Sequence, residues 1–140
     1  MKETAVSQSS SQFQSFPHVS FAVQHLRGDV TVLSVSGELD MLTAPRLGEA
    51  ITQARADGPH VLITDLTEVA FLASPGLTVL IEGHVDTPEN SRFGVVAVGA
   101  ALRSLEMTGV CEVVPVFRDV PSAIETLEPR SKQKDASPAA

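Results

Sequence analysis

Few residues of this chain could do chemistry by type and spacing, and Ser74 stands first among them. It precedes Pro75 and Gly76, and beyond it Leu77, Leu80, Ile81 and His84 recur at i, i+3, i+4 and i+7, one face of a helix. A serine there can be an N-cap, accepting a backbone N–H of the first turn for roughly 0.5–2 kcal/mol, with Pro75 at the first helical position. It can also be a nucleophile at a strand-to-helix turn, but a nucleophile elbow wants glycine two residues before and two after. Here Leu72 stands before and only Gly76 fits. His84 as its base would lie about 80° around the helix and roughly 15 Å along it, out of hydrogen-bond reach. His18, His25 and His60 occur singly near strand ends and read as surface or interface histidines, and no His, Cys and carboxylate group has metal-ligand spacing. Glu38 and Asp40, two apart, could serve acid–base work or a metal. As carboxylates at the entry of a helix that begins near Thr43 they need no such role, because the helix dipole favours them, and this reading is preferred for catalysis. They still place negative charge near Ser74. Gly94 and Gly99 flank a strand without any phosphate-loop pattern. No catalytic residue, metal or cofactor is therefore expected.

The elements that must position Ser74 follow from periodicity. Residues 61–63, Val-Leu-Ile, form a short apolar run of the kind buried on both faces of a parallel sheet, so the hydroxyl stands where a strand ends and a helix begins. In an open α/β sheet that is the edge where function usually lies. Upstream, residues 20–26 and 30–36 read as strands joined by the tight turn Arg27-Gly28-Asp29, hence antiparallel. Leu47, Ala50, Ile51 and Ala54 give a helix that starts near Thr43 and stops at Gly58. Downstream, Thr87 and Pro88 end the Ser74 helix, and residues 93–98 form a strand. Residues 100–108 form a helix with Leu102 and Leu105 buried and Gly109 as its stop. Residues 113–117 form a strand that Pro115 places at an edge, and Asp119 caps a last helix through Val120, Ala123, Ile124 and Leu127. The expected order is ββαβαβαβα, an α/β layer fold with right-handed crossovers. Residues 1–17, rich in Ser and Gln, and 129–140 are expected to be disordered tails.

Composition narrows the partners. The chain has 140 residues, 43% of them hydrophobic, enough for one domain with its own core. A net charge of −7 without a basic run argues against nucleic acid and anionic membranes, and favours a protein or small-molecule partner. Absence of Trp and Tyr removes the usual stacking platforms. A single cysteine, Cys111, excludes an internal disulfide; it reads first as a small buried apolar residue, with a redox-sensitive point or an intermolecular disulfide left open. With no leader-like apolar segment and no run of about 18 apolar residues, the expected location is the cytoplasm.

Two segments carry a family likeness. SGELDMLTAPRL, residues 36–47, resembles the stretch G-E-[LI]-D followed by a Thr/Ser-Ala helix start in STAS domains of anti-sigma factor antagonists. DLTEVAFLASPGLTVL, residues 65–80, resembles that family's D-[LV]-x-x-[VL]-x-[FY]-[ML]-D-S-[ST]-G-L-x-x-[LF], and LRSLEMTGV, residues 102–110, is similar to its helix ending in a glycine turn. The likeness runs over about residues 18–128. It implies a STAS fold, a mixed four- to five-stranded sheet flanked by helices, and a domain that works by binding. It further implies an anti-sigma factor of the serine kinase type as partner, Ser74 as phosphoacceptor, and a phosphatase acting on phospho-Ser74. By position it assigns partner binding to Glu38, Asp40, Met41, Thr43, Ala73, Pro75, Gly76 and Leu77. The chain departs from the pattern at Ala73, where the family has Asp, and at Pro75, where it has Ser or Thr. Those departures keep a second expectation open, a STAS sensor or scaffold that is never phosphorylated and binds a small ligand or like domains. A weak homodimer is compatible with both.

Overall fold

Residues 61–66 are buried throughout except Asp65, as an apolar run without alternation requires, and the sheet is built around them. The structure is a computed structural model that describes residues 11–128. Its strands are β1 (Ser11–Phe16), β2 (Val19–Leu26), β3 (Val30–Leu39), β4 (Val61–Leu72), β5 (Arg92–Val96) and β6 (Val116–Phe117). They lie side by side in chain order in one sheet. The first three are antiparallel and β3 to β6 are parallel, so α1 (Ala44–Arg55), α2 (Ser74–Val85) and α3 (Gly99–Met107) are crossovers between neighbours. Right-handed crossovers that all step the same way put these helices on one face. The larger apolar cluster accordingly joins Leu47 and Ile51 of α1, Leu77 and Leu80 of α2 and Leu105 of α3 to Leu33, Leu62, Leu66 and Phe93 of the sheet. Alternation sends Val30, Val32, Val61, Ile63 and Val96 to a second cluster, which α4 (Val120–Leu127) closes with Ala123 and Leu127.

The helices lie where spacing places them, with Leu47, Ala50, Ile51 and Ala54 all buried. Asp119 caps α4, its Oδ1 accepting the Ser122 N–H at 2.8 Å. Three expectations are corrected. Residues 11–16, expected within a disordered tail, are β1, so the sheet has six strands and the order is βββαβαβαβα. Among the described residues the strand is held by β2, through a regular ladder, and Phe16 packs inward against Phe21 (centroids 6.2 Å apart) beneath the Arg46 guanidinium, so a polar sequence without periodicity suffices. The last strand spans only Val116–Phe117, because Val110–Glu112 is a 3-10 turn that consumes the residues before it, although its edge position holds. In α3 the buried pair is Ala101 and Leu105, and Leu102 is half-buried. The expected tails at residues 1–10 and 129–140 lie outside the described residues.

Candidate functional site

The parallel strands β3 and β4 end together, with Glu38 beside Phe71 and Leu39 beside Leu72. Their pairing passes through two bulges of β4, which carries one extra residue opposite Ser34–Ser36 and another, Ala70, opposite Gly37–Glu38. Gly37 has φ +109, and a Cβ there would stand 2.2 Å from the His18 carbonyl oxygen, which accepts the Glu38 N–H at 2.8 Å. Only glycine fits this close approach. Beyond the strands, the Ala73 N–H donates to the Leu39 carbonyl at 2.9 Å and locks the entry of α2 to the end of β3.

That bond decides how α2 begins. Ala73 stays extended (φ −97, ψ 172) and is the residue that precedes the helix, so Ser74 is the first helical residue and Pro75 the second. The expectation that Ser74 caps the helix is therefore corrected by one position. Its side chain makes no capping hydrogen bond, and the residue is exposed. The Ala73 carbonyl accepts from the N–H groups of Gly76 (2.9 Å) and Leu77 (3.2 Å). Gly76 sits so close to the sheet that an added Cβ would lie 2.8 Å from Leu72 Cδ1 and 3.1 Å from Leu39 Cβ. This glycine brings the first turn of α2, and Ser74 with it, down onto the strand ends.

The neighbouring loop is organised by Asp40. Its Oδ1 accepts the N–H groups of Leu42 (2.9 Å) and Thr43 (3.0 Å), and the Thr43 hydroxyl donates to the Glu38 carbonyl (2.7 Å) while accepting the Asp40 N–H (2.9 Å). The Thr43 N–H is the main cause that holds the Asp40 carboxyl below its ordinary value, against the desolvation that opposes it. The carboxylate is thus spent on the turn into α1, as the helix-entry reading expected, and is not poised for acid–base work. Tying the loop down this way pushes Met41 and Leu42 outward, 74% and 80% exposed, and Phe71 stands 52% exposed at the end of β4.

Of the residues assigned to partner binding, Glu38, Asp40, Met41, Ala73 and Pro75 meet with Ser74 on this one edge of the sheet. Thr43 (5% exposed), Leu77 (7%) and Gly76 are buried and support the surface from beneath. Leu42 and Phe71 belong to the surface and escape the sequence reading. Leu42 had a signal, an apolar residue outside the spacing that fills the core from α1. Phe71 had none, because burial of Val69 and Leu72 three apart breaks the alternation of the strand. His84 lies at the far end of α2 from Ser74, tilted against Phe93 (centroids 6.4 Å). Among the described residues no group of three or more His, Cys, Asp or Glu could hold a metal ion, and no helix is long and apolar enough to cross a membrane. Cys111 is half-buried against the larger core cluster.

Comparison with known proteins identifies the family and the fold. The family model of the STAS domain matches residues 22–123. The chain is 38% identical over 96 residues to the anti-sigma-F factor antagonist RsfB of Mycobacterium tuberculosis, covering 68% of this chain and 79% of that one. It is 28% identical over 102 residues to the anti-sigma-B factor antagonist of Listeria monocytogenes, covering 71% and 89%. The crystal structure of an anti-sigma factor antagonist from Mycobacterium paratuberculosis superposes with a TM-score of 0.75 at 37% identity, over 83% of this chain and all of the other. With the family model matching most of the chain and a relative 38% identical over 79% of its own length, the chain belongs to the STAS-domain family of anti-sigma factor antagonists.

Proposed function

We propose that this domain binds an anti-sigma factor of the serine kinase type through the edge that carries Ser74, and that phosphorylation of Ser74 by that kinase ends the complex. The observation that carries the reading is an exposed hydroxyl at the first position of α2, engaged in no cap, at the same end of the sheet as the exposed Met41, Leu42 and Phe71. Such exposed apolar side chains are natural anchors for a partner. In the transfer, the Ser74 oxygen bonds to the γ-phosphorus of the kinase's ATP, the bond to ADP breaks, and the hydroxyl proton leaves to a base. With Ala73 beside the serine, that base comes from the kinase. The product sits at a helix N-terminus, where the dipole favours it, so α2 need not unfold. The change is instead at the surface, a charge of about −1.5 to −2 placed at the same end of the sheet as the apolar anchors. A partner that needs this face dry is expelled.

The rival reading, a STAS sensor or scaffold that is never phosphorylated, draws on the same helix start. Pro75 has no N–H, and those of Gly76 and Leu77 are already donated to Ala73, so few backbone donors remain to cradle a phosphate. Pull-down of the host's kinase-type anti-sigma factors with wild type, Ser74→Ala and Ser74→Glu, with and without ATP and followed by intact mass, separates the two. The switch requires that wild type and Ser74→Ala bind, that Ser74→Glu does not, and that ATP adds one phosphate to wild type alone. Equal binding by all three with no phosphate makes the protein a constitutive antagonist, and binding by none favours the sensor or scaffold.

A further inference from the structure

The two margins of the sheet are finished differently. β6 is two residues long, follows Pro115 and leads almost at once into the capped α4, so it offers little ladder to a newcomer. β1 is six residues long, regular in register, free of proline and free of charge, and among the described residues it pairs only with β2. Such a strand presents a row of unpaired N–H and C=O groups along its outer side. Proteins ordinarily blunt an edge of this kind with lysine, proline or a bulge, and Ser11–Phe16 has none of them. Carboxylates are few on the flank behind it: Glu49 lies 3.7 Å from Arg46, whose guanidinium sits over Phe16, and Asp57 lies 3.7 Å from His25 of β2. The chain has 17 Asp and Glu, yet none occurs at residues 11–28 or 30–37. On this flank Phe13 stands 70% exposed, whereas Phe16 in the same strand is packed against Phe21 and Arg46.

We propose that β1 is a self-association strand, pairing antiparallel with β1 of a second copy so that two six-stranded sheets continue into one. Charge selects the occupant. Two molecules of net charge −7 repel, and least at this flank, where β1 itself carries no charge and the nearby Glu49 and Asp57 each lie against a basic side chain, Arg46 and His25. The pairing is isologous: about a two-fold axis at Phe13 each ring faces its own copy, a favoured cross-strand aromatic pair. Because β1 is three strands from β4, the edge that carries Ser74 stays open in the dimer.

Sedimentation velocity of the full chain, from micromolar to millimolar, tests this together with amide hydrogen exchange at both ends of the range. The expected result is a mass that rises from monomer to dimer, with β1 amides gaining protection in step. Phe13→Lys weakens the dimer by about tenfold or more without lowering the melting temperature of the monomer. Ser15→Lys, a second exposed position on the same strand, acts likewise and decides the matter if Phe13→Lys folds poorly. A wild type that remains monomeric throughout overturns the proposal. So does a dimer that neither substitution weakens, or one that forms without added protection in β1.

Discussion

At the scale of single residues, Ser74 and Asp40 stand at two helix entries and their side chains do opposite things. Asp40 accepts two backbone N–H groups of its own turn, whereas the Ser74 hydroxyl caps nothing. Ser74→Ala is therefore expected to change stability by less than about 0.5 kcal/mol in denaturant titration, where loss of a working cap would remove roughly 0.5–2 kcal/mol. Asp40→Ala is expected to lower the melting temperature at neutral pH. Its carboxyl is held below the ordinary 3.8 in the fold, so its contribution is complete above that value and is lost as pH falls through the lowered one. The gap between wild type and Asp40→Ala should close in acid, and a gap independent of pH would mean the carboxylate is not what holds the loop. The sequence made Asp40 legible because a carboxylate before Thr43 and Pro45 has one evident use. It misplaced the cap by one residue because the tertiary bond from Ala73 to Leu39 fixes where α2 starts.

At the scale of elements, the helices were legible and the strand ends were not. α1 shows its buried face in the spacing of Leu47, Ala50, Ile51 and Ala54, which no tertiary contact has to supply. β1 shows nothing, since a polar edge strand exists only by pairing with β2. Nor does periodicity show that β4 runs on to Leu72, or that bulges in β4 opposite Ser34–Ser36 and Gly37–Glu38 set its register on β3, because bulges interrupt the alternation by which strands are recognised. The same junction yields a test. Gly76→Ala should move the start of α2 away from Leu39 and Leu72 and cost about 1–3 kcal/mol by overpacking, despite alanine's better helix propensity. Binding to the anti-sigma factor should fall further than that stability loss explains, and unchanged stability and binding together would show that the close approach does not set the position of Ser74.

At the scale of the whole molecule, a chain of net charge −7 exposes Met41, Leu42 and Phe71 at the carboxyl ends of β3 and β4, the end of the sheet at which α2 and Ser74 begin. Leu42→Glu and Phe71→Ser replace exposed apolar surface with polar groups and should change stability far less than binding, weakening the complex with the anti-sigma factor by about tenfold or more each, an effect of at least ~1.4 kcal/mol. Retained affinity in both would move the docking surface elsewhere on the domain. The most direct measurement is the dissociation constant of the anti-sigma factor for the unmodified protein and for protein stoichiometrically phosphorylated, titrated calorimetrically with the modified residue located by mass spectrometry. The account predicts phosphate on Ser74 alone and affinity lowered by about a hundredfold or more, ~2.7 kcal/mol. Equal affinities for the two forms, or phosphate on a residue other than Ser74, would contradict it.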